Sequence, residues 1–192
     1  MVGPLRIQSA VQHGFTMVEV LVTIIIISFG LLGLAGLQSR MQVAEMESYQ
    51  RAQALVLLND MSDRIATNRS MAALYVTASA LGGTTACTVA ASGETLQQID
   101  KREWCNALQG ASEVAGGSKL GAMLGGRGCV ESLGNREYMV TIAWQGLIPL
   151  SAPPASVTCG QSLYNATAAG AACINDLCRR TITTIVRIAP LA

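Results

Sequence analysis

Aromatic residues make up only 4% of this 192-residue chain, and histidine occurs once, as His13. A core is available at 51% hydrophobic content, but it must be built from Ala, Val, Leu, Ile and Met. One imidazole near the N-terminus leaves no histidine base for a serine or cysteine nucleophile and removes most zinc sites. The sequence has no P-loop lysine pattern, no G-x-G-x-x-G and no C-x-x-C spacing. Its carboxylates do not stand out from a solvated surface. No active site, metal or cofactor is expected, and the chain does not read as an enzyme. Charge is scarce as well, at 13% charged residues and a formal net charge of +1. Without Met1–Gly14, which holds Arg6, 12 basic and 12 acidic side chains remain. A neutral chain gives no sign of broad attraction to nucleic acid or anionic lipid. Cysteine is missing from the first 80 residues.

What is present begins with an apolar run of 23 residues, Phe15 to Leu37, holding a single charge, Glu19. About 20 apolar residues at helical rise span a hydrocarbon core of about 30 Å, so the run predicts a transmembrane helix. The small residue Gly14 precedes the run, whereas a cleaved secretory signal has a shorter apolar core with its small-residue site after it. The leader 1–14 carries Arg6 and no acid, which keeps the N-terminus cytoplasmic and exports the rest. Gly30, Gly33 and Gly36 mark either close helix packing or a point of weakness, since each costs about 1 kcal/mol relative to Ala in a helix interior.

Gln38 to Ala66 contains neither Pro nor Gly. Met41, Ala44, Ala52, Leu55, Leu58, Met61 and Ile65 recur at helical spacing and predict an amphipathic continuation over 38–68, stopped at Thr67-Asn68-Arg69-Ser70. The whole helix would be a rod of about 50 residues, roughly 75–80 Å at helical rise. Residues 69–192 read as an exported α+β head. Glu94–Gln109 predicts a helix with Leu96, Ile99, Trp104 and Leu108 broadly on one side. Gly110–Gly128 reads as irregular, with Gly125-Gly126-Arg127-Gly128 as a turn. Tyr138, Val140, Ile142 and Trp144 alternate with Met139, Thr141 and Ala143, and Ile182, Thr184, Val186 and Ile188 alternate with Thr181, Thr183, Ile185 and Arg187. Two such strands predict a small antiparallel sheet packed on the helix. The six cysteines, Cys87, Cys105, Cys129, Cys159, Cys173 and Cys178, all fall in the exported part and predict disulfides whose pairing the sequence leaves open.

A carboxylate five residues into an apolar span needs a reason, because an acid at the helix centre costs at least about 2.5–3.5 kcal/mol. A cut after Gly14 would create a positive amine on Phe15. That amine could pair with Glu19 within one chain or across two chains of a helix bundle, and a buried pair favours only the register that joins the charges.

The run Gly14-Phe15-Thr16-Met17-Val18-Glu19-Val20-Leu21-Val22 resembles the class III signal of type IV prepilins. Its continuation, Phe29-Gly30-Leu31-Leu32-Gly33-Leu34-Ala35-Gly36-Leu37-Gln38, resembles the PilV group of minor pilins. The strong resemblance covers about residues 14–40, and the head is matched only loosely. It implies cleavage between Gly14 and Phe15 and N-methylation of Phe15 by a membrane prepilin peptidase. It also implies that Glu19 complements the Phe15 amine of an adjacent subunit. Major pilins often carry proline where this chain has Gly36, so no proline kink is implied.

The function implied is that of a non-catalytic minor pilin in the complex that primes assembly and sits at the pilus tip. Its partners would be other minor pilins, the major pilin, the inner-membrane assembly platform and a PilY-type adhesin. The chain would stand in the inner membrane with a periplasmic head before assembly and in the pilus afterwards, supporting twitching motility and adhesion. The alternatives are a minor pseudopilin of type II secretion and a competence pilin that binds DNA through Arg127, Arg136, Arg179, Arg180 and Arg187.

Overall fold

The structure is a computed structural model that describes residues 14–110, the backbone of 114–115 and 118–119, and residues 123–190. The leader through His13 and the remainder of 111–122 in the glycine-rich stretch lie outside the described residues. The chain divides into two compact units, Met1–Val43 and Ala44–Ala192.

A single helix, α1 (Met17–Thr67, 51 residues), runs without a break through Gly30, Gly33 and Gly36. No proline interrupts it. In its apolar part the hydroxyls are satisfied locally: Thr23 Oγ1 donates to the Val20 carbonyl at 2.8 Å and Ser28 Oγ to the Ile24 carbonyl at 2.7 Å. Such back-bonding lets a polar side chain sit where no water is at hand. The helix ends where Asn68 N–H bonds back to the Arg64 carbonyl and a 3₁₀ turn, Arg69–Tyr75, takes over. The stripe it buries is Gln50, Ala54, Leu58, Met61 and Ile65. Three of the expected positions, Leu58, Met61 and Ile65, lie on it. Met41, Ala44, Ala52 and Leu55 are exposed instead. A stripe phased on Ala54 is displaced from the one read in the sequence, because the small Ala54 fits where the head lies against the helix.

The head sheet has the order β1-β4-β5-β6, antiparallel throughout: β1 (Leu81–Gly82), β4 (Arg127–Gly134), β5 (Glu137–Gln145) and β6 (Arg179–Arg187). A separate two-residue pair, β2 (Val114–Ala115) with β3 (Ser118–Lys119), lies between α2 (Leu96–Leu108) and β4. The fold is thus α+β, a long N-terminal helix packed on a small antiparallel sheet. Both strands read from alternation are present. The turn read at Gly125-Gly126-Arg127-Gly128 lies at Leu124–Gly125, and from Arg127 the chain is an inner strand instead. Arg127 between two glycines masks the period, and only the first half of the strand, Gly128 to Val130, is buried. The β4–β5 connection is a two-residue turn in which Asn135 (φ 48°) and Arg136 (φ 59°) are both left-handed, as a type I′ hairpin requires.

One face of the sheet meets α1 and α2. Val130, Tyr138, Val140, Ile142 and Trp144 join Ala54, Leu58, Met61, Ile65, Trp104 and Leu108 in one core. Trp104 is 0% exposed, and its Nε1–H donates to the Leu57 carbonyl at 2.9 Å. The ring occupies the place where Gly128 would carry a side chain: a Cβ there would lie 2.2 Å from the indole Cη2. Glycine at 128 is therefore a packing requirement. The opposite face is covered by the long β5–β6 connection, with Cys129, Ala143, Cys159 and Tyr164 forming a second small core.

The buried side of α2 differs from the expected one. Leu96 is exposed, Ile99 is only half-buried, and Gln97 and Asp100 are buried with Trp104, Cys105 and Leu108. Asp100 goes inward because it has partners there. It accepts from the Tyr75 hydroxyl and from Arg64 Nη1 at 2.7 Å, and Arg64 also reaches Asp60 (3.0 Å) and Glu103 (2.9 Å). Burial opposes the Arg64 charge, but its hydrogen bonds to Glu103, Asp60 and Asp100 outweigh that and raise its pKa.

Burial, reinforced by the bond to Asp100, pushes the Tyr75 phenol up to about 12 from its ordinary 10.0. The folded state favours the neutral phenol. This contribution is complete below pH 10 and is lost as pH rises through about 12. The urea midpoint of the wild type should therefore fall relative to that of Tyr75→Phe between those two values. Parallel midpoints across that window would show that Tyr75 is not so held.

Candidate functional site

Gly14, Phe15 and Thr16 precede α1 and are exposed, Phe15 by 82%. Thr16 caps the helix: its Oγ1 accepts from Glu19 N–H at 3.2 Å, and its carbonyl accepts from Glu19 N–H and Val20 N–H. Glu19 thus occupies the third helical position of a Thr-x-x-Glu sequence. There a carboxylate faces unpaired backbone N–H groups and the positive end of the helix dipole, worth about 0.3–1 kcal/mol. The Thr16-to-Glu19 spacing matches the capping-box pattern, which sequence reasoning overlooked, but only the backbone half is formed: among the described residues the Glu19 carboxylate makes no hydrogen bond. The gain is smaller than the cost of an acid in an apolar span. Among the described residues no cation lies within ion-pair distance of the Glu19 carboxylate.

Beyond Glu19 the apolar side chains from Val20 to Leu37 are all exposed. This helix is long and apolar enough to cross a membrane. A Cβ added at Gly14, Gly30, Gly33 or Gly36 would meet nothing within 4 Å. Nothing among the described residues demands glycine at those four positions, in contrast to Gly128.

In the head the six cysteines form Cys87–Cys105, Cys129–Cys159 and Cys173–Cys178. The first joins the loop after β1 to α2. The second fastens β4 to the connection over the sheet. The third closes the short loop before β6. Among the described residues no group of three metal-ligating side chains occurs.

Of the five arginines read as a possible phosphate-binding cluster, four are engaged within the protein. Arg179 is 2% exposed; its Nη1 donates to the Val157 and Cys159 carbonyls, and its Nε lies 3.1 Å from Asp176. Arg180 pairs with Glu47 and donates to the Ile148 carbonyl. Arg187 pairs with Glu137 across the β5–β6 ladder. Arg127 lies 5.1 Å from the Tyr164 ring centroid and donates to the Gly125 carbonyl. The Gly125–Gly128 stretch is thus tied into the head: Tyr164 also donates to the Gly125 carbonyl, and burial raises its phenol pKa.

Residues 10–35 match the family model of the prokaryotic N-terminal methylation motif. No curated protein and no solved structure matches the chain. The motif implies processing by a prepilin peptidase, anchoring in the inner membrane and assembly with other pilin subunits. A prepilin-type signal, followed by an apolar helix docked on an antiparallel sheet, supports a type IV pilin-like protein.

Proposed function

We propose that this chain is a minor pilin of a type IV pilus, similar to the PilV group, and a non-catalytic subunit of the complex that primes assembly and stands at the pilus tip. The observation that carries the reading is the start of α1. An accessible Gly14–Phe15 bond precedes an acid without an ionic partner among the described residues, on a helix whose glycines have open space around them. Each feature is costly or idle in a lone subunit, and each gains a role in a bundle. A cut after Gly14 supplies an amine to neutralise Glu19, and small residues let apolar helices approach closely. Glu19 then fixes the register between neighbours by meeting the Phe15 amine of the adjacent subunit. The head, held by three disulfides, faces the periplasm and then the filament exterior. Its partners are other minor pilins, the major pilin and a PilY-type adhesin, and its roles are in twitching motility and adhesion.

Mass spectrometry of the protein recovered from cells tests the basis of this reading. The expected N-terminus is Phe15 bearing one methyl on its amine. A chain starting at Met1, or trimmed elsewhere, would overturn it. The matched signal is equally suited to a minor pseudopilin of type II secretion. Deletion of the gene separates the two: loss of piliation with normal secretion is expected, and the opposite pair of phenotypes assigns the chain to secretion.

A further inference from the structure

Arg69 begins the 3₁₀ turn after α1, and Arg136 is the second residue of the β4–β5 turn. Both line one cleft of about 220 Å³. Ala72, Ala73, Tyr138 and Ile188 supply apolar lining, and Ser70 adds a hydroxyl. Ala72 and Tyr138 are buried. Among the described residues neither guanidinium has an acid within ion-pair distance or a hydrogen-bond acceptor. Arg102, Arg179, Arg180 and Arg187 of the head and Arg64 of α1 pair with acids, and Arg127 lies over the Tyr164 ring.

The backbone at Arg136 makes a second, independent case. Its φ of 59° falls at the turn position where glycine is most at ease, and a long side chain there is strained. The turn is fixed in place, since the Arg136 carbonyl accepts from Ile188 N–H at 3.0 Å. A strained arginine, without an internal partner, is thereby held at a small cleft that already contains another cation.

We propose that the Arg69–Arg136 cleft recognises a carboxylate side chain, Asp or Glu, presented on an exposed peptide segment of a partner protein. Two exposed arginines line this one small cleft, and an anion bound there offsets their like charge. Guanidinium forks match the two oxygens of a carboxylate. The apolar lining suits the methylenes that carry a peptide carboxylate better than it suits a fully hydrated phosphate ion. This inference stands apart from the pilus reading, because it depends only on the head.

The test uses the full-length protein in detergent micelles, with the arginine Nε–H resonances followed by NMR. The probes are a blocked Ala-Glu-Ala tripeptide, its Gln counterpart and inorganic phosphate. The Glu peptide should give saturable shifts with a dissociation constant on the order of 1 mM, weakening as salt is added. The Gln peptide should give none. Arg69→Gln and Arg136→Gly should each weaken binding at least about tenfold, the loss of a charged hydrogen bond. Arg136→Gly should also hold or raise the thermal midpoint, because glycine suits the turn, so its loss of binding is not a loss of fold. The proposal is overturned by no saturable shift with the Glu peptide, by an equal response to the Gln peptide, or by undiminished binding in Arg136→Gly. Phosphate binding without peptide binding would also overturn it.

Discussion

Gly128→Ala is expected to destabilise the head by at least about 3 kcal/mol, at or beyond the upper end for overpacking a core. The added Cβ would sit 2.2 to 2.7 Å from three atoms of the Trp104 ring. The ring cannot swing aside, since it is wholly buried and hydrogen-bonded to the Leu57 carbonyl. Nor can β4 retreat: Gly128 is paired with Leu81 on one side and Ile142 on the other. A loss of about 3 kcal/mol is a large part of a typical domain stability of about 5–15 kcal/mol. The urea midpoint of the full-length protein in detergent measures it. The double variant Gly128→Ala with Trp104→Leu should be less damaged than the sum of the two single changes, because the clash disappears with the ring. A near-wild-type midpoint for Gly128→Ala alone would mean that this contact is not as described.

Glu19→Ala is expected to leave the protein in the membrane but to lower its amount in sheared filaments at least tenfold. An unpaired charge left in an apolar bundle costs about 3–5 kcal/mol, far more than the helix-end contribution of a single carboxylate. Glu19→Gln discriminates between the two roles. It keeps the size and hydrogen-bonding capacity of the helix-start residue while removing the charge. If Glu19 serves only at the helix start, where its backbone N–H bonds to Thr16, both variants keep that bond and enter filaments normally. If it neutralises a neighbour's terminal amine, Gln fails about as badly as Ala. Wild-type amounts of either variant in sheared filaments would defeat the pairing.

Elements with an unbroken period were legible in the sequence. β5 and β6 follow from alternation, and the long helix follows from the absence of Pro and Gly up to the stop at Thr67-Asn68-Arg69-Ser70, although its buried stripe was only partly legible. β4 was hidden because Gly128 is dictated by a ring 24 residues earlier in the chain, and no local window contains that fact. The inward turn of Asp100 had a similar cause, since its partners Arg64 and Tyr75 belong to α1 and the turn after it. The engagement of the arginines was hidden for the same reason: Arg180 meets Glu47 across 133 residues, so a list of basic positions says nothing about which remain free. At the N-terminus the Gly14–Glu19 signal was legible as chemistry, and the matched motif agrees with it. The capping role of Thr16 was equally readable and was obscured by the more conspicuous acid. The disulfide pairing could not be read, because it depends on how the β5–β6 connection folds over the sheet.

Both tryptophans of the chain border α1: Trp104 bonds to its backbone, and Trp144 shares a cleft with Glu47, Ser48 and Arg51. Indole emission is therefore a built-in optical gauge of whether the sheet still grips the helix. Blue-shifted light marks the closed arrangement, and a red shift at constant helicity would mark a subunit whose head has let go.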